Sequence, residues 1–437
     1  MKFMKENNKT DCLKVYEERY VLCQNNKETT YPQGPQSEEA KERYEKILKK
    51  LEEGFLDQII ESALSFDYSE LSDLHRTLLK SLVDGITSEV GRALVGLTCL
   101  QLTIKCITPS QSIRLHKGNN LKRGFSWRDG ISMRSLDRKY NTPFLRKYEL
   151  LNMNKDGVFM TRSLAENYPY SIFYKAEMRG PFKEWIKIVD AIEDDEMPPK
   201  IALLYLISLL KNRSNHFIEL SKEACRLVKN YQNEKFENIQ RFVVDFFEKT
   251  DYSARALEVV MHGMYQAMSE MDLLGDSELN KMSQMRSANK KHDNVGDIEL
   301  SENGNIVISW DAKYGKPYLR DELEELRDKL NNHPEVEIAG FVCNKDVDLR
   351  KDIINRKIEI EQETDTKIYL FSFKEWIEFL LQDFDNTQKN ELGYKWLQAI
   401  IESFAQKRKD IAPIDEPCDA WLKYLILMMK NGSPREK

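Results

Sequence analysis

The stretch Val295-Gly-Asp-Ile-Glu-Leu300, Ser301-Glu-Asn-Gly304, Asn305-Ile-Val-Ile-Ser-Trp-Asp-Ala-Lys313 decides how this chain is read. Apolar, β-branched runs on both sides of a Ser-Glu-Asn-Gly turn predict two strands, 295–300 and 305–313, closed as a hairpin. Side chains alternate along a strand, so Ile306, Ile308, Trp310 and Ala312 share one face and Val307, Ser309, Asp311 and Lys313 the other. The apolar face is expected to pack inward against helices. Pairing of the two strands then brings Asp297 beside Asp311 and Lys313, so two carboxylates and an ammonium converge.

That set of groups has a chemistry. Carboxylates suit Mg²⁺, a hard cation that keeps several waters and takes one or two protein oxygens. A bound metal makes hydroxide accessible near neutral pH and stabilises charge on a phosphate in flight. Lys313 is placed to orient or help deprotonate the attacking water and to offset charge on the phosphoryl oxygens. Gly296-Asp297, thirteen intervening residues and Asp311-Ala312-Lys313 resemble the PD-(D/E)XK nuclease superfamily. The order of elements over about residues 276–385 agrees: helix, strand, turn, strand carrying D-x-K, helix, further strands. Gly296 stands where the family usually has Pro. D-x-K also occurs at Asp137/Lys139 and Asp365/Lys367, and the latter is the rival placement. The resemblance implies a further acid from the helix before the first strand, where Glu270 and Glu278 stand. Glu299, two positions beyond Asp297, is an alternative metal ligand.

Around this α/β unit the chain reads as mostly helical, so the expected fold is a mixed-sheet, restriction-endonuclease-like core embedded in a largely helical α+β protein. Residues 1–36 are polar, end in Tyr31-Pro-Gln-Gly-Pro-Gln36, and are expected to be a flexible tail. Residues 37–275 read as a helical and loop-rich region: Ile47, Leu51, Phe55, Ile59, Ile60 and Leu64 recur at helical spacing. Within it, Pro109, Gly118, Gly124, Gly130, Pro143, Gly157 and Pro169 break the pattern, predicting loops and short strands over 107–170. The nuclease core follows at 276–385, where Ser372-Phe-Lys-Glu375 is a capping box opening a helix. C-terminal helices at about 388–407 and 417–430 fill 386–437.

Net charge is −6, yet Ser110 to Trp185 holds 15 Lys and Arg against 7 Asp and Glu. A local positive field of this kind neutralises phosphates, while an acidic remainder repels DNA from the other faces. Lys122-Arg-Gly-Phe-Ser-Trp-Arg-Asp-Gly130 mixes guanidinium, hydroxyl and aromatic groups, the donors that phosphates and guanine edges take. Arg123, Arg128, Arg134 and Arg138 are the leading DNA-contact candidates. Arg162 and Asn167 stand behind them, and Lys316, just past the catalytic strand, is placed to touch a phosphate. The Arg-Gly-Phe-Ser stretch, ahead of the Gly-Asp and acidic-x-basic pair, also resembles the SacI family of type II restriction endonucleases. What that implies is Mg²⁺-dependent cleavage of a short duplex sequence by a homodimer, with a companion DNA methyltransferase protecting host DNA.

Other classes find no support in the residues. There is no Walker A loop, GxGxxG, HExxH or G-x-S-x-G, and the six His residues lack ligand spacing. Seven widely spaced cysteines without a CxxC pair argue against a disulfide framework and a structural zinc site. No apolar run is long enough to span a membrane, and Met1–Lys9 lacks the apolar core of a secretory signal, so a cytoplasmic protein is expected. Two further readings fit the same residues: a defence or repair nuclease that recognises DNA structure or modification, and a non-catalytic DNA-binding protein on a nuclease-like scaffold.

Overall fold

The computed structural model describes residues 11–63, 66–86, 89–119, 124–151, 153–178, 180–282, 294–315, 318–405 and 418–432. They fall into two units, 1–216 and 217–437. The first begins with an antiparallel meander, β1 (Cys12–Val15), β2 (Arg19–Gln24) and β3 (Lys27–Pro32). Asn25 and Asn26, at φ 53° and 58°, turn β2 into β3. Two consecutive positive-φ residues are what the tightest hairpin turns require, and Asn tolerates that conformation. Tyr20, Leu22 and Tyr31 pack on Leu115 and Trp127. The expected flexible tail is therefore corrected. From residue 12 the segment is a folded sheet, whose few apolar side chains were outnumbered by its solvent-facing polar ones.

Helices α1 (Glu38–Glu52), α2 (Phe55–Ala63), α3 (Asp73–Asp84) and α4 (Glu89–Ile107) follow as the apolar periodicity predicts. Ser37 and Ser72 cap α1 and α3 by accepting from the amides of Ala40 and His75, each at 3.2 Å. The Gly- and Pro-broken segment holds α5 (Met133–Leu136), a π-helical turn at Asp137–Asn141, α6 (Thr142–Lys147) and two 3₁₀ turns. Among the described residues its only strand-like pairing is an isolated bridge from Trp127 to Gln33, so the short strands expected there are corrected as well. Buried Asp137 organises the segment by accepting from Asn141 and Thr142 side chains and from the Val158 amide. α7 (Phe182–Glu193) and α8 (Pro199–Leu227) complete the helical run, with the boundary between the units inside α8.

The second unit contains α9 (Phe236–Lys249) and α10 (Ser253–Glu270), then a five-stranded mixed sheet. Its strands are β4 (Glu278–Leu279), β5 (Ile298–Glu302), β6 (Asn305–Lys313), β7 (Ile338–Cys343) and β8 (Lys367–Ser372), in that spatial order. β4, β5 and β6 pair antiparallel, whereas β6, β7 and β8 run parallel. Helix α11 (Arg320–Leu330) connects β6 to β7, and α12 (Lys351–Thr364) connects β7 to β8. Parallel neighbours need crossovers of this length.

Helices cover both faces of the sheet. Ile298, Leu300, Trp310 and Val342 join the core built with α9, α10, α13 (Phe373–Leu380), α14 (Asn386–Phe404) and α15 (Cys418–Gly432). Ala339, Phe341, Cys343, Ile368 and Leu370 join the core under α11 and α12. This two-sided burial explains why β7 reads as a continuous apolar run. A register shift opposite Leu300 and Ser301 leaves Val307 extra in β6, a β-bulge. It turns Ile306 toward the α11 and α12 side, whereas Ile308, Trp310 and Ala312 keep the opposite face as expected. Residues 217–275, assigned from sequence to the recognition region, belong instead with the sheet, because α9 and α10 share its apolar core.

None of the seven cysteines forms a disulfide, and no described helix is long and apolar enough to cross a membrane. Gly340 sits in β7 where an added Cβ would meet the Tyr369 carbonyl oxygen at 2.4 Å and the Trp310 ring at 2.8 Å. Backbone and a buried indole cannot yield cheaply. Gly340→Ala is expected to destabilise the protein by about 1–3 kcal/mol, read as a lower urea midpoint.

Candidate functional site

The hairpin places the first acid. The Asp297 amide donates to the Trp310 carbonyl at 2.9 Å, and the Asp297 carboxylate accepts from the Ala312 amide at 3.0 Å. Two bonds to β6, one from backbone and one from side chain, thus hold Asp297 against the strand end that carries Asp311 and Lys313. The approach needs glycine at position 296: a Cβ there would meet Ser309 Oγ at 2.5 Å and the Trp310 carbonyl oxygen at 2.7 Å. Glycine is the residue that this tight strand contact demands.

Asp311 and Lys313 project together, as alternation predicts. Lys313 Nζ lies 3.1 Å from Asp311 Oδ1 and 2.7 Å from Glu322 Oε2, with side chains only 14–17% exposed. The ammonium also stands 5.6 Å from the centre of the Phe341 ring. Burial pulls the Lys313 pKa down, but the charge of Asp311 and the hydrogen bond and charge of Glu322 outweigh it and hold the pKa above the ordinary lysine value. Lys313 is a cation here, bound to two carboxylates rather than poised to take up a proton.

Asp297 carries the opposite perturbation. Burial raises its pKa well above the usual carboxylate range, reinforced by the charge of Asp311, the charge of Glu258 and a hydrogen bond with Asp311. Two carboxyl groups that share a hydrogen bond in a poorly solvated place resist double ionisation. Glu258, on α10, is also pushed up by burial, opposed by the Arg255 guanidinium with which it forms an ion pair. Three acids and Lys313 therefore belong to one electrostatic cluster.

The remaining sequence candidates separate. Glu299 pairs in register with Ser309, but its carboxylate accepts from the amides of Val295 at 2.7 Å and Gly296 at 3.2 Å. It braces the loop that delivers Asp297, so the structure does not bring it to the acid pair as a ligand. Glu270 ends α10, exposed, twelve residues past Glu258, or about 18 Å along a helix axis. Glu278 is exposed at the sheet edge opposite Ser301. The helix acid in the cluster is Glu258, missed because the sequence offered later acids closer to the strand. Arg255 and Glu258 are ionisable residues on a helix otherwise buried nearly throughout, a burial that only the packed structure reveals. Glu322 was missed because an acid in a first helical turn ordinarily serves the helix dipole.

The rival D-x-K pairs are occupied otherwise. Asp137 is the buried organiser described above, and Lys139 bonds Glu52 at 3.1 Å. Asp365 takes a left-handed conformation at the end of α12, and Lys367 stands over the Tyr369 ring at 5.2 Å.

In the first unit, Arg128, Arg134, Arg138 and Arg162 are exposed. Arg134 donates to the Phe159 carbonyl at 3.2 Å and covers the Phe159 ring, whereas Arg138 reaches Asp156 at 3.5 Å. Asn167 is half-buried and accepts from Lys117. Arg123 and Lys316 lie outside the described residues. Part of the positive excess is structural: buried Arg114 donates to Asp190 Oδ1 at 2.6 Å and to the Tyr170 carbonyl at 2.7 Å.

Among the described residues no cluster of three or more His, Cys, Asp or Glu side chains is arranged to hold a metal. The pair Asp297 and Asp311 fits a hydrated Mg²⁺, which needs only one or two protein oxygens, and the raised Asp297 pKa marks a place where added positive charge is favourable. No family model matches the chain, and a search of curated proteins finds no match.

Because Asp297 holds its proton more tightly when folded than when unfolded, the native state binds more protons between the two pKa values, and stability falls as pH rises through that window. Asp297→Asn, which does not titrate and keeps an acceptor for the Ala312 amide, is expected to flatten that loss. In metal-free thermal melts the variant should gain on the wild type as pH rises from about 4 toward neutrality. An equal pH dependence in both proteins would contradict the assignment.

Proposed function

We propose that this chain is a Mg²⁺-dependent endonuclease of the PD-(D/E)XK kind, acting on double-stranded DNA as a type II restriction enzyme. One observation carries the reading: Asp297 and Asp311 meet at the end of paired strands, with Lys313 bound to the second acid. Perturbed ionisable groups of this kind concentrate where chemistry is done.

Asp297 and Asp311 are the residues that would hold Mg²⁺. When bound, the metal supplies a Lewis acid and a water of lowered pKa. Asp297, which holds its proton tightly beside Asp311, would have to be ionised to act as a ligand. Asp311 would hold the cation as well, while its contact with Lys313 keeps the ammonium beside the acid pair. Lys313, charged, neutralises a phosphoryl oxygen and orients the nucleophile. Glu322 fixes the ammonium from its far side so that it does not collapse fully onto Asp311. Exposed Arg128, Arg134, Arg138 and Arg162 contact the duplex, with phosphate contacts setting position and base-edge contacts setting specificity. Dimeric action and a companion methyltransferase belong to the same reading.

The test is incubation of unmethylated plasmid with the purified chain and Mg²⁺. Discrete fragments are expected from the wild type. Asp311→Ala and Lys313→Ala should each lower cutting by a factor of at least about 10² while retaining duplex binding in a gel-shift assay. Undiminished cutting by Asp311→Ala would remove the site. Binding without cutting by the wild type in Mg²⁺ would favour a non-catalytic DNA-binding protein. Separately, Arg134→Ala should weaken duplex binding, or relax its sequence preference, by about 1–3 kcal/mol.

A further inference from the structure

Eleven large apolar side chains are exposed among the described residues, and four of them, Tyr318, Leu349, Ile354 and Ile358, gather around α12. Scattered single exposures need no explanation, but a local group of this kind marks a contact surface. Ile353 and Ile360 are buried against the sheet, and buried Arg356 reaches Glu324 of α11 at 2.8 Å. Ile354 and Ile358, 39% and 44% exposed, stand one turn apart on the outer side. Tyr318 is held against the first turn of the same helix, donating to Asp352 at 2.9 Å beneath the Arg350 guanidinium.

Charge along this face is ordered. Lys351 is exposed one turn before Ile354, and Glu361 is partly exposed just under one turn beyond Ile358. Glu361 already accepts from Lys357 Nζ at 2.9 Å and from the Ile368 amide at 2.8 Å. A carboxylate offers about four acceptor sites, so a further donor can be taken. One end of the strip is basic and the other acidic, with isoleucines between.

We propose that this outer face of α12 is a self-association surface, on which a second copy of the chain packs its own α12 antiparallel across a two-fold axis. With the axis at the level of Arg356, Ile354 meets the partner's Ile358, and Lys351 meets the partner's Glu361, because both pairs are symmetric about that position. A parallel arrangement would set Lys351 against Lys351 and Glu361 against Glu361. Self-complementarity about a two-fold is what an isologous dimer requires, and antiparallel helix dipoles add to it. The assembly does not depend on the nuclease reading. Where that reading holds, it gives two catalytic centres to one duplex, since Tyr318 sits in the connection between Lys313 and α11.

The experiment is sedimentation equilibrium on the full chain without metal or DNA. The wild type is expected to be a dimer at low micromolar concentration. Ile354→Lys alone and Ile358→Glu alone should each weaken it by about tenfold or more. Circular dichroism spectra should be unchanged, because both positions face solvent within one copy. An equimolar mixture of the two variants should regain dimer, since one contact becomes Lys against Glu and the other returns to Ile against Ile. A wild type monomeric at about 100 µM, single variants that dimerise normally, or a mixture no better than its parts would each overturn the proposal. The readout is independent of DNA cleavage, so a dimer that does not cut DNA leaves this surface standing and removes only the nuclease reading.

Discussion

Asp297 and Asp311 are held close enough that ionising both would set them in mutual repulsion, and much of the second unit is arranged around that constraint. Two unit charges about 4 Å apart in an effective dielectric of about 20 interact by about 4 kcal/mol, a large share of a typical folding free energy. The hairpin holds Asp297 in place by an amide on each side of its contact, the Trp310 carbonyl taking one and Asp297 itself taking the other from Ala312. Trp310 anchors the strand in turn, buried among aromatic rings and donating its indole N–H to the Tyr265 hydroxyl at 2.6 Å. The acids are thus fixed by apolar packing on the opposite face of the strand, where alternation separates the cost from its compensation.

Lys313 is the counter-charge that makes the arrangement tolerable, and it is shared. Were it bound to Asp311 alone, the pair would approach a closed ion pair of little use to a third group. Glu322 draws the ammonium outward from the first turn of α11, leaving Lys313 between two carboxylates and over the Phe341 ring. A cation bound to the acid pair would change this balance, with positive charge already supplied at Asp311 and Lys313 released to interact elsewhere. Buried charge of this kind contributes little to stability and is costly when a partner is lost.

The strands and their turn were legible in the sequence because one-sided alternation in β6 and a tight-turn tetrad are local signals. Asp311 and Lys313 followed from period two, and Asp297 from hairpin pairing. Glu258 and Glu322 were not legible, since each reaches the cluster through tertiary packing of a helix on the sheet. Glu299 was misread for a subtler reason. Its position on the strand was right, but its carboxylate is taken up by the backbone amides at 295 and 296. The folded meander at 12–32 escaped notice because edge and surface strands need only a few apolar contacts, here centred on Trp127. Val307 could not be recognised as a bulge, and Ile306 was assigned to the wrong face in consequence.

Bulge and site are connected. Without the extra residue at Val307, a shift of one position along β6 would carry every later side chain to the other face of the sheet. Asp311 and Lys313 would then enter the aromatic core, and Trp310 would stand beside Asp297. Hairpin register from Leu300/Ile308 onward is therefore a condition for the acid pair to exist. Gly296 is its counterpart on the other strand, allowing the approach to Trp310 that brings the Asp297 carboxylate within reach of Ala312. A short polar pattern found elsewhere in the chain, as at Asp365 and Lys367, lacks both devices and produces no such meeting of charges. What distinguishes the site is the backbone geometry that presents those three residues.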